Sequence, residues 1–243
     1  MIKTEQGPKT ITTKLIAHGG YSSAYPENTQ TSYLEAQKYK PYAIEMDVVP
    51  HPTTGELICF HPHGISSTLG TFDTETIQQQ LDNGMHYPTF TQMLSVLDHS
   101  QLVLVDLKNP SYDGYKRILK TTKANPSQII VGTRNLEDVA FVKTINPQIK
   151  TLALFANPDD FESYQQNSGI FFRLWEKDLT LERIQQIHDL GLEVWVTPGH
   201  KATATQHRTA GEISDEKLEE LIGTVDAILV NDIKHTTEYM TNI

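Results

Sequence analysis

YAIEMDVVPHPTTGELICFH, residues 42–61, decides the fold. It holds two apolar runs, YAIEMDVV (42–49) and LICF (57–60), joined only by PHPTTGE. Parallel neighbours need a crossover of about a dozen residues or more, so these runs are predicted to form an antiparallel hairpin. Its turn centres near Thr54. Asp47 and His61 are equidistant from that centre, so the hairpin is expected to return His61 beside Asp47.

Working outward, similar runs recur along the chain: TTKLIA (12–17), QLVLVDL (101–107), QIIVG (128–132), TLALF (151–155), IFFRLW (170–175), LEVWV (192–196) and AILV (227–230). Continuous apolar strands suit a parallel sheet covered on both faces. Helix signals lie between them. Thr89 to Gln92 spells a capping box before Met93, Leu94 and Leu97. Asn135 is placed to cap a helix carrying Val139, Val142 and Ile145, and Thr180 another that Gly191 closes. Ser214 opens a further helix with Asp215 and Glu216 in its first turn. With LICF set aside as a hairpin arm, eight strands remain. Eight parallel strands with helices between them make a (β/α)8 TIM barrel, here with a β-hairpin excursion after strand 2. No composition break divides the chain, so residues 1–243 are expected to form a single domain.

Twenty basic residues stand against 30 acidic ones, a formal net charge of −10, and no basic stripe is present. That argues against nucleic acid and against an anionic membrane face, while leaving room for one phosphate in a local pocket. Cys59 is the single cysteine, so no internal disulfide can form. The start of the chain has no apolar leader and no run is long enough for a membrane span, which predicts a soluble, cytoplasmic protein.

Active sites of such barrels lie at the C-terminal ends of the strands. Here those ends carry His18, then Glu45 and Asp47, then Asp106 and Lys108, with His61 delivered by the hairpin. Alternate strand residues share a face, so Glu45 points with Asp47 and Asp106 with Lys108. Three carboxylates at one mouth repel one another unless a cation lies between them. Hard oxygen ligands with room for water and substrate suit one Mg²⁺ or Ca²⁺. His18 and His61 are then candidates for general acid and general base, and Lys108 for neutralising an anionic oxygen. Singly, each has an ordinary reading. A histidine at a strand end is commonly a turn residue, Asp106 and Lys108 form a simple ion pair, and Asn28 caps a helix. The ordered set is what points to chemistry.

These motifs resemble the glycerophosphodiester phosphodiesterase family. The family runs His-Arg-Gly, Pro-Glu-Asn-Thr, Glu-x-Asp on the second strand, a glycine-turn hairpin ending in a second histidine, and Glu-x-Lys on the third strand. This chain has HGG (18–20), PENT (26–29), EMD (45–47), TTGELICFH (53–61) and DLK (106–108). YPTF (87–90) and VDAILVND (225–232) resemble the family's later Pro-Thr-Leu and closing Val-Asp-Gly-Ile-x-Thr-Asp. The resemblance implies hydrolysis of a small-molecule glycerophosphodiester to an alcohol and glycerol phosphate. It implies one divalent cation on Glu45, Asp47 and Asp106, with His18 and His61 as the acid–base pair and Lys108 on the phosphate.

The chain departs from the family in three places. Gly19 stands where the family has a phosphate-gripping arginine, Asp106 where it has Glu, and His61-Pro62-His63 where it has His-Asp. The loop at 199–214, with His200, Lys201, His207 and Arg208, is expected to supply a replacement cation, Lys201 foremost, and Trp195 to wall the pocket. Two other outcomes stay open on these residues. One is a lyase-type, phospholipase D-like reaction giving a cyclic phosphate. The other is a silent barrel that binds phosphodiesters without cleaving them.

Overall fold

The computed structural model describes residues 12–62, 72–82, 87–199 and 209–243. Strand β1 (Lys14–Ala17) leads through α1 (Gln30–Gln37) to β2 (Ala43–Pro50), and β3 (Leu57–Cys59) follows directly. Then come α2 (Thr74–Asp82), α3 (Phe90–Val96), β4 (Leu102–Leu107) and α4 (Tyr112–Thr121). The alternation runs on through β5 (Ile129–Thr133), α5 (Leu136–Ile145), β6 (Lys150–Ala153), α6 (Phe161–Gln166) and β7 (Phe171–Trp175). It finishes with α7 (Leu181–Asp189), β8 (Glu193–Thr197), α8 (Asp215–Leu221), β9 (Ala227–Val230) and α9 (Ile233–Asn242).

Strands pair in the order β1-β9-β8-β7-β6-β5-β4-β2, and β1 also pairs with β2, which closes the ring. All eight ring pairings are parallel; β3 alone is antiparallel, hung on the edge of β2. This is a TIM barrel with the expected hairpin. The strand period of two sorts side chains cleanly. Ile16, Ala43, Leu104, Ile130, Leu152, Phe171, Trp195 and Ala227 fill the interior of the ring. Their neighbours, such as Ile44, Met46, Val103, Val105, Val131 and Val194, pack outward beneath the helices.

The N-terminal end of the ring is plugged by polar groups that satisfy one another. Lys14 Nζ donates to both carboxylate oxygens of Glu193 at 2.9 Å. Trp195 Nε1 donates to the same carboxylate at 3.3 Å. Asp226 accepts from His188 at 2.7 Å and from the Val194 N–H at 2.8 Å, tying α7, β8 and β9 together. The opposite end is open, and the polar strand tips converge there.

Helix caps follow the sequence signals. Thr89 and Gln92 form the reciprocal capping box of α3, and Asn135, Thr180 and Ser214 cap α5, α7 and α8. One expected cap differs: Thr29, not Asn28, caps α1. Asn28 stands one residue earlier at φ +58° and is buried.

The hairpin differs in register by one residue. Val48 pairs with Cys59 and Val49 with Ile58, and the Phe60 N–H donates to the Asp47 carbonyl at 3.1 Å. Asp47 therefore faces Phe60 across the ladder rather than His61. The physical reason lies in the turn: the His51 N–H bonds to Glu56 O, and the Gly55 N–H returns to His51 O. That tight turn, with Gly55 at φ +68°, sets the pairing half a residue earlier than a loop centred on Thr54.

Candidate active site

His18 continues the inward face of β1, two residues beyond Ile16, and its ring lines the cavity at the open end. Its Nδ1 lies 2.7 Å from Asn231 Oδ1. Asn231 Nδ2 donates to the Ala210 carbonyl at 3.0 Å, which fixes the amide orientation and makes Oδ1 the acceptor. His18 thus carries its proton on Nδ1 when neutral, leaving the Nε2 lone pair for chemistry. Gly211, at φ +85°, closes over this pair. A Cβ there would lie 2.1 Å from Asn231 Oδ1 and 2.7 Å from His18 Nδ1, so only glycine fits.

Gly19 turns the chain away from β1 at φ +59°. Its N–H donates to Glu45 Oε2 at 2.8 Å, so the backbone where an arginine was expected orients a carboxylate instead. Asn28 orients the next one. Its Nδ2 donates to Asp47 Oδ2 at 2.9 Å, while its Oδ1 accepts from the Asp47 N–H at 3.0 Å and from Tyr33 Oη at 2.7 Å.

Glu45, Asp47 and Asp106 are all buried, and each offers an oxygen within 4.8 Å of the others. The structure thus brings together the three acids expected to gather. Their charges are not left to repel freely. Lys108 Nζ lies 2.7 Å from Asp47 Oδ1 and 2.6 Å from Asp106 Oδ2, and the Arg134 guanidinium takes Asp106 Oδ1. The need for an outside cation is therefore smaller at Asp106 than three bare carboxylates imply.

The protonation pattern follows. Burial and the neighbouring Asp47 push the Glu45 carboxyl well above the usual range. Burial acts the same way on Asp47, but Lys108, His61 and His18 overcome it and hold its carboxyl well below normal. Asp106 is also buried, yet Arg134 and Lys108 lower it. Lys108, despite burial, is raised by Asp106 and Asp47. Two features fit a divalent ion. The Glu45 and Asp47 carboxyls offer oxygens within 4.8 Å of each other, a closeness that favours a shared proton or a cation between them. Asp47 Oδ1, buried beside Glu45 and Asp106, has Lys108 as its single polar partner and so keeps lone-pair capacity for an ion. An all-oxygen donor set of this kind suits Mg²⁺ or Ca²⁺.

His61 follows β3, lines the same cavity, and sits edge-on to the Phe72 ring at 5.7 Å. Despite the shifted register it lies close enough to Asp47 to help depress that carboxyl. The cavity has a volume of about 520 Å³. Its floor is the apolar interior of the ring, and Trp195, 2 % exposed, belongs to that floor. The indole stacks on Phe171 at 4.6 Å and points its N–H toward the plugged end, so its visible role is packing. His63, His200, Lys201, His207 and Arg208 lie outside the described residues.

Two cavity residues, and one that holds His18 from behind, escaped the sequence reading. Arg134 follows β5, Arg173 sits in β7, and Asn231 follows β9. A signal existed for Arg173: a lone cation inside the apolar run IFFRLW shares its face with Phe171 and Trp175. Asn231 lies within the quoted VDAILVND, at the tip of the last strand. Arg134 had weaker notice, since GTRN resembles an ordinary loop before a helix cap.

Fold and site together define a TIM barrel whose mouth joins buried acids, two histidines and buried cations. Solved structures sharing this fold over nearly the whole chain are glycerophosphodiester phosphodiesterases. A candidate glycerophosphodiester phosphodiesterase from Galdieria sulphuraria aligns over 96 % of this chain and 100 % of its own, with a TM-score of 0.77 and 21 % identity. A glycerophosphodiester phosphodiesterase from Parabacteroides distasonis gives a TM-score of 0.74 at 18 % identity, covering 96 % of this chain and 98 % of its own. A phosphodiesterase from Oleispira antarctica, solved with the product sn-glycerol-3-phosphate, gives 0.71 at 16 % identity, covering 95 % and 97 %. No protein-family profile matches the sequence, and no curated protein matches it.

Proposed function

We propose that this protein hydrolyses glycerophosphodiesters to an alcohol and glycerol phosphate with a divalent cation, Mg²⁺ or Ca²⁺. The observation that carries the reading is the convergence of His18, His61, Glu45 and Asp106 on one cavity, with Asp47 buried beside them. Glu45, Asp47 and Asp106 would hold the cation. Bound there, the ion would neutralise charge developing on the phosphoryl oxygens. His18, with Nδ1–H committed to Asn231, has Nε2 available to accept the proton of the attacking oxygen. His61, lining the same cavity, would protonate the leaving alkoxide, and Lys108 would face a phosphate oxygen. Among the described residues no helix is long and apolar enough to cross a membrane, in keeping with a small soluble substrate.

The test is glycerol phosphate release from glycerophosphocholine with Mg²⁺, Ca²⁺ or chelator. Turnover that needs metal and falls at least ~100-fold in His18→Ala supports the reading. Wild-type turnover that persists in His18→Ala or in chelator sinks it.

A further inference from the structure

The cavity wall facing the acids carries a cation that the reaction above does not use. Strand β7 lies across the ring from β2, and Arg173 points inward from it, on the face of Phe171 and Trp175. It is 8 % exposed, and its Nε and Nη1 have no hydrogen-bond partner. Its Cζ lies 4.1 Å from the Trp175 ring centroid, so one face of the guanidinium is covered. Arg134, just past the tip of β5 and two ring strands away, is equally buried; its Nη2 binds Asp106, but its Nε is also unpartnered. Burial, with repulsion from Arg134, lowers Arg173 to about 9. A planar fork of donors left unsatisfied in a cleft matches the geometry of a phosphate or carboxylate.

We propose that Arg173, backed by Arg134, forms an oxyanion-binding wall that grips the substrate's phosphate from the side opposite the acid cluster. The structure thus supplies, from β5 and β7, the grip that Gly19 lacks, and does so without the 199–214 loop. The assignment of a phosphodiester as the anion rests on the proposed hydrolase activity; the anion site itself does not. Lys177 also lines the cavity but is paired with Asp178 at 2.8 Å, so among the described residues Arg173 is the cavity cation most in need of a partner. A ring face on Trp175 compensates a buried charge less well than an anion does, so the arrangement sacrifices stability for binding.

The experiment titrates inorganic phosphate into the full-length protein in chelator, by calorimetry, and records thermal melting of each variant. Arg173→Gln is expected to bind phosphate about tenfold or more weakly while melting at the same or a higher temperature. Arg173→Lys, which keeps the charge but loses the fork, should fall between. Unchanged phosphate affinity in Arg173→Gln, no binding by the wild type, or a lower melting temperature in both variants with unchanged affinity in Arg173→Lys overturns the assignment. Kinetics then locate the gripped group. Equal losses of kcat/KM on glycerophosphocholine and glycerophosphoserine put the scissile phosphate on the wall; loss on the serine diester alone puts its carboxylate there. If the wild type turns over no diester yet binds phosphate through Arg173, the hydrolase reading fails and the wall stands.

Discussion

Asn28 uses both ends of its side-chain amide to tie β2 to α1, and does so from a backbone conformation few residues accept. At φ +58° it is among the residue types that tolerate the left-handed region. From there it binds the Asp47 carboxylate, the Asp47 N–H and the Tyr33 hydroxyl. Replacing it by Ala strands three buried groups, one of them charged. Asn28→Ala is expected to lower stability by at least about 2 kcal/mol in urea denaturation. A loss under half of that would show that water replaces the amide and that Asp47 is not rigidly held. Sequence alone gave Asn28 a helix-capping role, because PENT has the composition of a helix start. What decides between cap and clamp is a long-range contact to β2, which no local pattern records.

At the scale of elements, the hairpin and α3 form a unit beside the ring. Thr89 bridges to Ile58, and the Cys59 N–H donates to Pro88 O, so the capping box of α3 also anchors β3. Leu57 and Cys59 join Phe90 and Met93 in the outer core. Thr89→Ala is expected to cost about 1 kcal/mol of stability, read as a lower melting temperature, with kcat unchanged. A fall in kcat beyond that on melting would mean that β3 positions His61 through this anchor. The strands themselves were legible because each is an apolar run fixed by a two-residue period. The register of the hairpin was not, because one hydrogen-bonded turn shifts it. The cations of β5 and β7 were hidden for a related reason: a period gives the face of a residue but not what stands across the ring from it.

For the whole molecule, acid is the revealing condition. Asp226 is half-buried, which alone would raise its carboxyl, but the His188 and Val194 hydrogen bonds lower it. A carboxyl depressed in the folded state adds stability that is present above the unfolded value, near 4, and is lost as pH falls through the folded value. Asp47 and Asp106 have the same sign; Glu45, raised in the fold, has the opposite one. Wild type should therefore exceed Asp226→Asn by about 2 kcal/mol near pH 7, with the gap closing below about pH 4. A gap that stays constant from pH 7 to pH 3 would show that Asp226 contributes shape rather than charge.

Gly19 carries a consequence for how this chain can change. A Cβ built there would lie 2.9 Å from the Cβ of Glu27, in a backbone conformation that already disfavours side chains. The family that these motifs resemble pairs arginine at this position with the same Pro-Glu-Asn-Thr, so the side chain at 27 is no bar to it. What glycine allows here is closeness: the Gly19 carbonyl accepts from the Asn28 N–H while the Gly19 N–H holds Glu45, and the two turns sit against each other. A return to arginine therefore calls for a backbone shift that moves the 19–20 turn off Glu27, and not for a change of one side chain alone.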